Sequence, residues 1–224
     1  YKTVGVYSGA LGWGYNTEIF ARKGLTPPAC WADLLDPALA ASLAALYAAP
    51  SILDRHLLRP HWLLPRRQYI TVITSGFLHA DLPHLLFNAF TFWAFGFSLE
   101  RAIGSGLFIA LYAFGLLVSS VGTWFAHRRQ PEYASLGASG AILAVLFASI
   151  VHTPSQSIFV FPIPLPIPAP LFALLYLAYT IYASKQARGR INHDAHLSGA
   201  LAGVVFVLLT DAPAFGRALR QVFG

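Results

Sequence analysis

Apolar positions along this chain gather into five clear blocks: about Leu82 to Leu99, Leu107 to Ala126, Leu136 to His152, Leu171 to Ala183, and Ala195 to Thr210. Blocks of roughly 15 to 20 residues match the length a helix needs to cross about 30 Å of hydrocarbon, so each predicts a span. The fourth block is short and starts close to the loop before it. That loop, "FPIPLPIPAP", alternates proline with apolar residues. Proline lacks a donor and breaks helices, so the loop predicts an extended turn that dips into the membrane interface. Ahead of the blocks, "ALAASLAALYAA", Ala38 to Ala49, is too short for a span and reads as the stump of a first helix. The pattern predicts an all-α polytopic membrane protein, a helical bundle of five clear spans plus a truncated first helix.

Residues 1–40 are patterned differently. The stretch "GALGWGYNTEIFARKGLTPPACWADLLDP" mixes polar and apolar residues, is rich in Gly and Pro, and places its aromatics in no helical period. It resembles a fragment of periplasmic solute-binding proteins of the iron and thiamine type, near the hinge between their lobes. About forty residues cannot bury a sufficient core alone, so no binding function is inherited from the likeness. The chain therefore divides into this fragment, 1–40, and a membrane domain, 41–224.

Composition agrees with the block pattern: of 224 residues, 56% are hydrophobic and 11% charged, too apolar for an ordinary soluble domain. The net charge of +6 comes from short basic clusters between blocks, which read as loop charges at a membrane surface. Nucleic acid is not an expected partner. The single cysteine, Cys30, cannot form an internal disulfide, and without a His/Cys ligand pattern no metal site is expected. The chain starts on Tyr1 with no basic and then apolar leader, and so reads as a fragment whose true start is missing.

Polar residues inside the blocks are few and placed alike. His84 and Asn88 lie near the start of the first block, Ser139 in "SLGASGAILAV" opens the apolar run of the third, and His196 opens the fifth. Alternating spans bring the starts of the first, third and fifth to one membrane side, so these residues can converge. His84 and Asn88 share a helix face, as do His196, Gly199, Ala200 and Gly203. Gly140, Ala144 and Ala148 form a second small-residue stripe, and two such stripes let helices pack closely enough to bring Ser139 to His196.

The chemistry that fits is nucleophilic attack by Ser139 with His196 as base, and Asn88 and His84 as donors to a developing oxyanion. Taken singly, Ser139 reads as a packing residue, Asn88 as helix glue, and the two histidines as interfacial or capping groups. Jointly they read as a site. Asp194, two before His196, points to a different helix face, so capping the fifth span is its better reading.

These residues match a family. The chain from about 50 to 211 resembles rhomboid intramembrane serine proteases through "ITSGFLHADLPHLLFNAFTFWAFG", "LERAIGSG", "GASG" (Gly137 to Gly140) and "AHLSGALAG". The resemblance implies a Ser139 and His196 dyad with no required aspartate, oxyanion-binding Asn88 and His84, and Gly199 as the small residue packed beside the base. It also implies cleavage of transmembrane helices of substrate proteins within a lipid bilayer, without cofactor or metal, by a multi-pass protein of the bacterial inner membrane.

Three features depart from the family pattern: the stump in place of a full first span, Ile191 where glycine is common, and an aromatic and arginine feature met only by Trp62 with Arg66 or Arg67. Orientation stays open, because the basic loops put the dyad side at the cytoplasm while familiar bacterial rhomboids face the periplasm. The alternative is a catalytically inactive relative that binds transmembrane helices; such relatives typically lack the serine or the histidine, and both are present here.

Overall fold

The computed structural model describes residues 50–160, 165–186 and 191–223. Leu53–Gly224 forms one compact unit. The expectations about residues 1–40 and the Ala38–Ala49 stump lie outside the described residues.

After a short helix, α1 (Pro50–His56), and a one-turn helix, α2 (Thr71–Thr74), each of the five apolar blocks becomes one helix: α3 (Leu82–Ile103), α4 (Ser105–His127), α5 (Ser139–His152), α6 (Ala169–Gln186) and α7 (His193–Thr210). An amphipathic helix, α8 (Ala212–Phe223), closes the chain. The boundaries have local causes. Asp81 caps α3 by accepting the His84 backbone N–H at 2.8 Å, and Pro83 in the first turn needs no partner for an N–H. Gly104, at φ 82°, ends α3 and turns the chain into α4.

α5 is the centre of the bundle. Every residue from Gly140 to Ile150 is buried, because α3, α4 and α7 all pack against it. With 14 residues it extends about 21 Å, against about 35 Å for the 23 residues of α4. A helix enclosed by other helices does not have to match the hydrocarbon thickness. α4 lines one flank through Phe108, Leu111, Gly115, Ser119 and Thr123, buried positions that recur every three to four residues.

The expectation of five spans is met only in part. Among the described residues, α4 and α7 are long and apolar enough to cross a membrane, and α5 is apolar but shorter. α3 is long enough but carries His84, Asn88, Glu100 and Arg101; α6 ends in a polar "SKQ" run. The outward faces nevertheless carry large apolar side chains, including Phe87 and Phe90 on α3, Ile109 and Phe125 on α4, Leu174 on α6 and Leu209 on α7. Water would disfavour so extensive an apolar surface, whereas lipid chains match it.

The proline-rich loop is extended where it is described. Ser157–Phe159 (β1) pairs antiparallel with Pro166–Pro168 (β2), with Ile158 opposite Ile167. Pro166 and Pro168 alternate with Ile167, so their missing donors fall on every second position of a strand with a single partner.

Candidate active site

The backbone before Ser139 is pinned at three points. Ser135 and Leu58 exchange backbone hydrogen bonds of 2.9 Å each, and Gly137 donates its N–H to the Ser75 carbonyl at 2.9 Å. Gly137 adopts φ 122°, which residues with a side chain rarely take, and a Cβ there would come within 2.7 Å of His84 Cε1. The chain thus turns sharply beside the His84 ring before α5 opens at Ser139. The first N–H groups of α5 have no partner within the helix and concentrate positive potential at its start.

α7 is anchored to the same region by Asn192. Its side-chain carbonyl caps the helix by accepting the Ala195 N–H at 3.0 Å. Its amide N–H groups lie 2.8 Å from the Ser135 hydroxyl and 2.9 Å from the Thr123 hydroxyl, joining α7 to the loop before Ser139 and to α4. The capping role expected of Asp194 therefore belongs to Asn192. Asp194 faces α4 instead, where its carboxylate meets His127 Nε2 at 3.0 Å. The His127 ring stacks on Tyr133 at 3.6 Å, and burial together with the Asp194 charge pushes the Tyr133 phenol up to about 12.

Below these anchors α5 and α7 touch backbone to backbone. A methyl on Gly199 would collide with the Gly140 carbonyl, and one on Gly203 with the Ala144 carbonyl. A methyl on Gly140 would strike the Ser119 side chain of α4, so three helices meet there with no room for a Cβ.

This approach sets the central geometry. Ser139 Oγ lies 2.8 Å from His196 Nε2, and His196 Nδ1 lies 3.1 Å from the Tyr176 hydroxyl of α6. His84 sits on α3 against Gly137, with its Nδ1 accepting the Ala80 N–H at 3.4 Å. Its neighbour His79 packs edge-on at 5.1 Å between ring centres, and burial lowers the His79 pKa, with His84 adding to the effect. Asn88, one turn further along α3, is buried, and its Nδ2 meets no hydrogen-bond partner among the described residues. The Arg66 guanidinium lies 4.0 Å over the Trp62 ring, and Ile191 is exposed just before α7.

Sequence reasoning left out Tyr176, Asn192, Ser135 and the α4 residues Ser119 and Thr123. For α4 a signal existed, since Gly115, Ser119 and Thr123 repeat every four positions. For Tyr176 there was none, because its block shows no single polar face.

Comparison with known proteins bears on what this arrangement is. Residues 66–212 match the family model of the rhomboid domain. The chain is 30% identical over 154 residues to the mitochondrial rhomboid protein 1 of Saccharomyces cerevisiae, covering 65% of this chain and 44% of that protein. It is 28% identical over 172 residues to the human mitochondrial presenilin-associated rhomboid-like protein, covering 72% and 44%. With the rhomboid protease GluP of Bacillus subtilis it shares 27% identity over 160 residues, covering 70% and 30%. The chain thus spans less than half the length of each of these relatives. With most of its length inside the matched domain, the chain belongs to the rhomboid family, a family of integral membrane proteins.

Proposed function

We propose that this chain is an intramembrane serine endopeptidase that cleaves transmembrane helices of substrate proteins through Ser139 and His196. The observation carrying this reading is the 2.8 Å hydrogen bond between Ser139 Oγ and His196 Nε2, made where three helix starts meet. A serine hydroxyl is a weak nucleophile until a base takes its proton, and an imidazole at this distance can do so.

In the proposed mechanism, Ser139 Oγ attacks the scissile carbonyl carbon while its proton passes to His196 Nε2. The carbonyl oxygen becomes an oxyanion that accepts hydrogen bonds from Asn88 Nδ2, from a ring N–H of His84 and from the backbone N–H at the start of α5. The imidazolium of His196 then protonates the leaving amine, and the peptide C–N bond breaks. Water attacks the acyl-serine with His196 again as base, which releases the carboxylic product and restores Ser139. No step calls for a metal or cofactor. Asn88 suits its part because a buried donor with no partner among the described residues is free to bond the oxygen when charge develops there.

Gly137, Gly140, Gly199 and Gly203 serve this site by permitting the close packing that sets the distance between serine and imidazole. GluP, a rhomboid protease by name, supports a bacterial membrane as the location, while the yeast and human relatives carry the same domain in mitochondria. The test is cleavage of a tagged model transmembrane helix in proteoliposomes. The parent should cut it, and Ser139→Ala and His196→Ala at matched folded yield should not. Intact substrate that co-purifies with a folded parent would instead favour the non-catalytic, helix-binding reading.

A further inference from the structure

A dyad leaves unanswered what holds the imidazole. Nε2 can accept the serine proton only when the ring carries its own proton on Nδ1, and an untethered imidazole exchanges between two tautomers and several rotamers. In the triad arrangement a carboxylate fixes the ring. Here the nearest carboxylate in sequence, Asp194, is turned toward α4 and engaged with His127. What meets His196 Nδ1 is the hydroxyl of Tyr176, at 3.1 Å.

We propose that Tyr176 is a positioning residue: its phenolic oxygen accepts the Nδ1–H of His196 and so keeps Nε2 bare toward Ser139. The inference rests on the dyad reading above and adds a third member that comes from a different helix.

Three observations carry it. Tyr176 is itself held, its ring stacked on Phe172 at 5.7 Å and packed against Phe147 of α5 at 5.8 Å, so its hydroxyl is delivered in one place. Its own O–H has a destination. Thr180, one turn along the same face of α6, is fully buried, and its hydroxyl interacts with the Tyr176 phenol. If Tyr176 turns its proton toward Thr180, its lone pairs face His196, which selects the Nδ1–H tautomer. Finally, a neutral phenol suits an apolar bundle: it supplies an acceptor without the desolvation cost of a buried carboxylate. The other titratable groups around the ring are His193, at 6.1 Å between ring centres, and His84, neither of which meets Nδ1.

The experiment combines ring-nitrogen NMR of 15N-histidine protein in detergent micelles with fluorophosphonate labelling rates. The His196 signals are identified by their loss in His196→Gln. In the parent, His196 should show a protonated Nδ1 and an unprotonated Nε2. Tyr176→Phe keeps the ring packing and removes the acceptor, so it should mix the tautomers, slow labelling about 10-fold, in line with the loss of one neutral hydrogen bond, and lower the thermal midpoint by only a few degrees.

A parent His196 protonated on Nε2 would overturn the assignment, and it can be read without any variant. A Tyr176→Phe protein with parental tautomer and labelling rate would overturn it too, while continued loss of labelling in Ser139→Ala and His196→Ala would leave the dyad standing.

Discussion

Asn88 separates folding from catalysis more cleanly than any other single residue here. The folded chain buries its amide, and among the described residues Nδ2 has no partner, an arrangement that lowers stability by about 1–3 kcal/mol if nothing else satisfies it. Asn88→Ala should therefore leave the thermal midpoint unchanged or raised, while kcat on a model helix falls about 10²- to 10³-fold and KM changes little. A variant that melts well below the parent would mean that the amide bonds within the resting protein and has no special tie to the oxyanion. Single residues also show what could be read in advance. The approach of Ser139 to His196 follows from block count and alternation, because it depends only on which ends of the helices share a side. The Asp194 and Asn192 exchange could not be read that way. Both are good capping residues at neighbouring positions, and only the contacts to Ser135 and Thr123 decide between them.

At the scale of elements, the pairing of α5 with α7 determines whether the two side chains can meet. Gly199 and Gly203 lie against the Gly140 and Ala144 carbonyls, so each added methyl must push two backbones apart. Gly199→Ala should cost about 1–3 kcal/mol and, by widening the gap, reduce labelling more than the loss of folded protein explains. Gly104→Ala, with no neighbour near its Cβ site, tests strain alone and should leave labelling per folded molecule unchanged. Equal labelling per folded molecule in Gly199→Ala would detach this crossing from the site. Helix extents were largely legible, since each apolar block corresponds to one helix. Spanning capacity was not. Block length alone cannot reveal that α5 is enclosed on all sides, and enclosure relieves a helix of matching the bilayer. The role of α4 was half legible: the repeat of Gly115, Ser119 and Thr123 marks a small-residue face, but a one-dimensional pattern does not name the helices packed against it.

Among the described residues, a buried central helix is surrounded by helices whose outward faces are apolar, and Ser139 and His196 meet at two helix starts. This inverts the layout of a water-soluble protein, and the proposed hydrolysis requires water to reach the helix starts from the surface. The proposed function requires that the serine at the head of α5 be activated by the histidine at the head of α7. Its most direct test is mass spectrometry of the purified protein after fluorophosphonate treatment. The parent should form one covalent adduct, on Ser139, that is absent from folded His196→Ala. A folded parent that acquires no adduct, or acquires it equally without His196, would contradict it.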